Sequence, residues 1–218
     1  YYNYTGASAE TGYYETFSDN DDTWGTLLEQ KTYGVSLGIG GAVSGWYWTQ
    51  THVDATWGVV LDSKTEGKTG RNLALTTGMI TYGTKGWTND YVSTTTTQLT
   101  GYYETFSDNN DDYGILSAQQ TYGISKSKGG TSGWYKTDTQ VDPTFGTVLS
   151  SRTEGRTGKN VTYSSSTLYG WTATYLTYTG ASAETGYYET FSDNDDTWGT
   201  LLEQKTYGVS LGIGGAVS

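Results

Sequence analysis

The sequence has no cysteine, which excludes disulfides and thiolate metal centres. Proline and methionine occur once each, as Pro143 and Met79. Aliphatic residues are sparse, so any core must be thin. Basic residues are few against 23 acidic ones, and the formal net charge is −11. Such a chain is repelled by nucleic acid and by anionic lipid, which excludes both as partners. Long apolar runs are missing too. The longest weakly apolar stretch, Val35 to Val43, is short and glycine-rich, and it cannot cross a bilayer. Gly38-Ile39-Gly40-Gly41 precedes neither a helical pattern nor a Lys-Ser/Thr pair, so it is not a phosphate loop.

What the chain does contain is glycine (31), tyrosine (21), tryptophan (8) and much Thr and Ser. Aromatic and β-branched residues suit pleated strands, and glycine supplies turns with positive φ. So many aromatics argue against disorder. The reading is all-β. Above all, the end repeats the beginning: Tyr4 to Ser44 and Tyr178 to Ser218 are identical, 174 positions apart. Identical strings have identical conformational preferences and seek equivalent neighbours. A closed globule has one place for each segment, whereas an array that advances by a fixed step has room for both.

The step has a finer grain. Gly-Tyr-Tyr-Glu-Thr-Phe-Ser-Asp-Asn starts at Gly12, Gly101 and Gly186. Within each half, a module of strand, Asp/Asn turn, glycine and strand occurs twice: Gly12 to Gly34 and Gly45 to Gly67, then Gly101 to Gly123 and Gly133 to Gly155. Each module reads as a β-hairpin, with strands such as Tyr13 to Ser18 and Thr26 to Tyr33. Gly34 and its equivalents are expected to close each module. A further β-like stretch follows the second module, which brings each half to seven or eight strands. The expected organisation is 1–11 as the end of a preceding repeat, 12–100 as unit A, 101–185 as unit B and 186–218 as the start of the next unit A. The expected fold is tandem units of about 87 residues, β-sandwich-like and stacked in an extended array, with a β-solenoid or propeller as the alternative.

Alternation assigns faces. One face keeps its chemistry in every module (Tyr14, Thr16, Ser18; Tyr47, Thr49, Thr51; Tyr103, Thr105, Ser107; Tyr135, Thr137, Thr139), and the other varies (Tyr13, Glu15, Phe17 against Trp46, Trp48, Gln50). The constant tyrosines, with Leu27, Val60, Leu116 and Val148, are the expected inter-strand core.

Several residues invite chemistry. Asp19, Asp21, Asp108, Asn110 and Asp112 are spaced as oxygen ligands on acidic turns and form a candidate calcium site, against the plainer reading of turns capped by their own side chains. Trp46, Trp48 and Trp134 are candidate stacking platforms for sugar rings. The aromatic just before each turn glycine (Trp24, Trp57, Tyr113, Phe145) is expected to pack internally instead. Asn3 and Asn160 open sequons that could carry glycans. His52 is replaced by Asp19, Asp108 and Gln140 in the other modules, and Glu15, Asp62 and Glu66 form no distinctive pair. No catalytic centre is therefore expected, and no cofactor beyond the calcium option. The expected function is a structural segment of a long extracellular filament or surface fibre, and the alternative is a multivalent carbohydrate- or cell-binding adhesin. The expected partners are copies of itself or adjacent repeats, with polysaccharide under the alternative. The composition resembles that of secreted bacterial surface proteins, which places the chain outside the cell or at its surface.

Overall fold

The computed structural model describes residues 10–82, 84–93, 98–212 and 215–217; Asn3 lies outside them. Strands make up 73% of the described residues. Among the described residues there is no α-helix, and none long and apolar enough to cross a membrane. The strands are β1 (Gly12–Asn20), β2 (Leu27–Leu37), β3 (Val43–Val53), β4 (Val60–Gly70), β5 (Leu75–Tyr82), β6 (Lys85–Ser93) and β7 (Leu99–Asn109). They continue as β8 (Leu116–Ser127), β9 (Gly130–Val141), β10 (Val148–Lys159), β11 (Thr162–Leu168), β12 (Trp171–Gly180), β13 (Ala183–Asn194) and β14 (Leu201–Ser210).

Ten of these strands form one antiparallel sheet in the order β1-β2-β3-β4-β7-β8-β9-β10-β13-β14. Among the described residues, β5 pairs only with β6, and β11 only with β12. The sheet runs without a break across the boundaries at 100/101 and 185/186, because β4 pairs with β7 and β10 pairs with β13. Among the described residues, the stretches expected as units A and B each hold six strands, β1 to β6 and β7 to β12, where seven or eight were expected, and the strands are longer than the sequence patterns suggest. Gly34 does not end its module. It lies buried within β2, and the chain continues as strand to Leu37.

The second layer consists of the two small hairpins, which lie on the face whose residues vary. Under β11–β12, Phe106, Tyr122, Ile124 and Trp134 of the sheet pack with Val161 and Ala173. Near β5–β6, Val35, Trp46, Leu73 and Leu99 form a smaller cluster with Tyr33, Trp48 and Tyr91 around it. These clusters are the buried core. Leu27, Val60, Leu116 and Val148 begin their strands beside the turns and are only half-buried. The varying face is where a cover must be matched, so its residues differ with what lies above them. The described residues form neither a closed barrel nor a solenoid.

The identical stretches pair alike. β1–β2 and β13–β14 share their register from Gly12↔Ser36 and Gly186↔Ser210 to the bulge at Asn20↔Leu27 and Asn194↔Leu201.

Candidate functional site

The uncovered face carries unbroken rows of like residues across the sheet. One threonine from every strand lies in a single row: Thr16, Thr32, Thr49, Thr65, Thr105, Thr121, Thr137, Thr153, Thr190 and Thr206. Within each hairpin the two hydroxyls bond at 2.8–3.0 Å. Each such cross-strand pair contributes about 0.2–1 kcal/mol.

The adjacent row alternates tyrosine and glycine: Tyr14, Gly34, Tyr47, Gly67, Tyr103, Gly123, Tyr135, Gly155, Tyr188 and Gly208. The ring of each inner tyrosine lies over the glycine of the strand before it. A Cβ on Gly34, Gly67, Gly123 or Gly155 would fall 2.1–2.3 Å from ring atoms of Tyr47, Tyr103, Tyr135 and Tyr188 respectively. The tyrosines thus do form an inter-strand contact, made sideways within the sheet and not against a second layer. Tyr14, at the edge, is 73% exposed. Alternation along single strands does not reveal the glycine seats. Their signal is symmetry: Tyr14 and Gly34 stand equally far from their turn, as do Thr16 and Thr32.

All five long-hairpin turns lie at one end of the sheet and are built alike. In the first, Gly25 N–H donates to the Asp21 carbonyl at 2.9 Å, and Asp21 Oδ1 accepts from Thr23 and Trp24 N–H at 2.9 and 2.7 Å. Asp54, Asn110, Asp142 and Asp195 repeat this. The glycine takes φ of 66–70° in each turn, a left-handed conformation that favours glycine. The aromatic before it points outward: Trp24, Trp57, Tyr113, Phe145 and Trp198 are 78–85% exposed. This corrects the expectation that these side chains fill the interior. Successive turns are two strands apart, so the aromatics form a row with a period of about 10 Å.

The sugar-stacking candidates are placed otherwise. Trp46 and Trp134 are buried, at 7% and 4% exposure, and their indole N–H groups donate to the Tyr91 and Tyr175 carbonyls at 2.5 and 2.7 Å. Trp48 is half-buried, stacks on Tyr33 and donates to Glu66 at 3.0 Å. Stacking a sugar on Trp46 or Trp134 would require lifting a hairpin; the most exposed tryptophans among the described residues are those of the turns, Trp24, Trp57 and Trp198. Of the calcium candidates, Asp21 and Asn110 turn an oxygen onto their own backbone, while Asp19 and Asp108 lie on the hairpin side and Asp112 is exposed in its turn. The Asp108 carboxyl is pushed above its usual range by burial, with Asp62 and Asp111 adding to it. Among the described residues, no three His, Asp or Glu side chains converge where a metal ion could be held. Asn160 is exposed, with φ of 52° and its amide donating to Ser182 at 3.3 Å.

Four ionisable side chains, Glu15, Asp62, Lys64 and Glu104, fasten the hairpins to the sheet. Glu15 accepts from Asp90 N–H at 3.1 Å, and its counterpart Glu104 accepts from Thr174 N–H at 2.7 Å. Lys64, 5% exposed, bonds Glu66 at 2.6 Å, Glu104 at 3.3 Å and the Thr172 carbonyl at 2.7 Å. Asp62 accepts from Trp171 Nε1 at 2.6 Å and contacts His52 Nδ1 at 2.9 Å, while His52 stacks on Trp171 at 4.0 Å. The Lys64–Thr172 and Asp62–Trp171 bonds tie β12 to β4. No protein-family model matches the chain, and no curated protein is significantly similar to it.

Proposed function

We propose that the chain is a structural segment of a long extracellular filament or surface fibre, in which repeats of about 87 residues join edge to edge into one continuous sheet. The observation that carries this reading is the constancy of the threonine and tyrosine–glycine rows. They keep their register through β4–β7 and β10–β13 as they do within each hairpin, so the strand order can be prolonged at either edge without changing the pattern. The identical pairing of β1–β2 and β13–β14 supports the same reading. The acidic surface would keep such an object soluble and discourage lateral clumping. Glu15, Asp62, Lys64 and Glu104 each bond across elements, which supports a structural role for them over a catalytic one.

The test is an axial length. β13 is the ninth strand of the sheet, so one 174-residue step spans eight strand spacings, roughly 40 Å at about 4.8 Å each. Polypeptides containing one, two and three such steps should lengthen by about that amount per step in small-angle scattering and negative-stain images. Growth in all three dimensions would overturn the reading.

The exposed turn aromatics favour a second reading, a multivalent carbohydrate-binding adhesin. A row of platforms about 10 Å apart suits alternate rings of an extended polysaccharide, and repeated weak contacts gain from tethering. Co-sedimentation with polysaccharide that is lost when Trp24, Trp57 and Trp198 are changed to alanine would support it; no co-sedimentation would remove it.

A further inference from the structure

We propose that Lys64 and Glu104 condense into an isopeptide bond, an amide between the lysine Nζ and the glutamate Cδ that the folded chain makes on itself. This goes beyond the fibre reading and does not depend on it.

The first argument is the make-up of the cluster. Lys64 of β4 and Glu104 of β7 are 5% and 3% exposed, and Lys64 Nζ lies 3.3 Å from Glu104 Oε1. The Phe106 ring walls the site, its centre 5.5 Å from Nζ. A buried amine and a buried carboxyl are thus held in contact, and fixed position strongly favours reaction between them. Glu66 Oε1 is 2.6 Å from the same Nζ, while Trp48 Nε1 donates to its other oxygen at 3.0 Å. It stands where a proton must go if Nζ is to become a nucleophile. On the far side of Glu104, Oε2 accepts from Thr174 N–H at 2.7 Å and Tyr175 N–H at 3.4 Å. Negative charge gathers on that oxygen as Nζ adds to Cδ, and backbone donors aimed at it stabilise the tetrahedral intermediate.

The second argument is balance. One ammonium and one carboxylate give one amide and one water. The Nζ–Cδ bond forms and the Cδ–Oε1 bond breaks. Two of the three ammonium protons leave with Oε1 as water, the first by way of Glu66, and no co-reactant enters. The proton left on Nζ has its acceptor in place, the Thr172 carbonyl at 2.7 Å. Two charges that are costly to hold away from water become one neutral, hydrogen-bonded amide.

The third argument is place. Lys31–Glu29, Lys136–Asp138 and Lys205–Glu203 each pair residues two apart on one strand, and they are more exposed. Lys64–Glu104 joins two strands that no tight turn connects, because the β5–β6 hairpin lies between β4 and β7 in the chain. A tie there closes a long loop, which removes more freedom from the unfolded chain than a tie across a short turn. β10–β13 is the matching seam, and Arg152 takes the place of Lys64 there, 2.5 Å from Glu189 and 3.4 Å from Glu154. A guanidinium keeps its proton and forms no such amide. The bond therefore fixes the β4–β7 seam and leaves the hairpin seams as they are.

The test is the mass of the purified chain in denaturant. The expected mass is one water below that of the sequence, and protease digestion should yield a branched peptide joining the Lys64 and Glu104 segments. Lys64→Arg installs the residue that the matching seam already holds, so it should fold and show the full sequence mass. Glu66→Gln keeps the size and a hydrogen bond but cannot take the proton, and it should form the bond roughly a hundredfold more slowly. A wild-type chain at full sequence mass overturns the proposal and leaves the fibre reading to the axial-length test. A missing water that persists in Lys64→Arg, or a branch that maps to Glu66, overturns it as well.

Discussion

At the scale of single residues, glycine acts here as a platform. Gly67 lies in the middle of the sheet with a tyrosine ring on it, and a Cβ there would fall 2.1 Å from Tyr103 ring carbons. Replacing a strand glycine by alanine is ordinarily favourable, because glycine loses the most freedom on folding. At Gly67 the crowding wins: Gly67→Ala should destabilise the chain by about 1–3 kcal/mol in urea unfolding, the usual cost of overpacking. Equal stability of the two proteins would show that the ring can move aside freely. The sequence displays the constant tyrosines, but their seats become visible only when strands are set in register. Gly34 reads as a module end because glycine usually punctuates structure. The turn aromatics mislead for a related reason. A required aromatic suggests packing, yet Trp24 sits at a turn apex where no neighbour covers its ring.

At the scale of elements, the two hairpins are fastened by equivalent devices. A tryptophan of the sheet donates to a carbonyl of the hairpin's second strand (Trp46 to Tyr91, Trp134 to Tyr175), and a glutamate accepts from a nearby backbone N–H (Glu15 from Asp90, Glu104 from Thr174). Trp134→Phe keeps much of the ring but deletes the donor and leaves a carbonyl unpaired. Its cost should be about 1–3 kcal/mol. Hydrogen exchange should quicken in β11–β12 and stay unchanged in β1–β4. Uniform loosening would mean that the hairpin is not a separate unit of stability. From sequence, alternation puts Trp46 and Trp134 correctly on the varying face. Their burial is hidden there, because it depends on hairpins that fold back from later in the chain.

At the scale of the whole molecule, stability should fail in alkali. Burial raises Tyr82, Tyr122 and Tyr175 above the ordinary phenol range. Burial, then the hydrogen bond to Glu184 and its charge, push Tyr178 up to about 12. Each folded value lies above the unfolded one. This contribution to stability is therefore complete below the normal tyrosine value near pH 10 and is lost as pH rises toward 12 and beyond. The melting temperature should hold steady up to about pH 10 and then fall, with tyrosinate absorbance from these residues appearing only as the fold opens. Tyrosinate absorbance that developed fully near pH 10 in a folded chain would contradict the burial of these rings. At this scale the sequence is most legible. The duplicated ends announce that like segments will pair alike, and they do. The joining of both units into one sheet is not legible, because β4 and β10 give no local sign of which strand they will meet.

The sheet order also fixes how the molecule answers a pull. With β1 and β14 at opposite ends of the order, tension between them acts along the ladder bonds, which then unzip one strand pair after another instead of shearing together. The resisting force is that of a single seam, while every freed residue releases up to about 3.6 Å of chain. In the fibre proposed above, such a seam would yield early, lengthen greatly and rewind when slack, as a shock absorber does and a stiff rope does not.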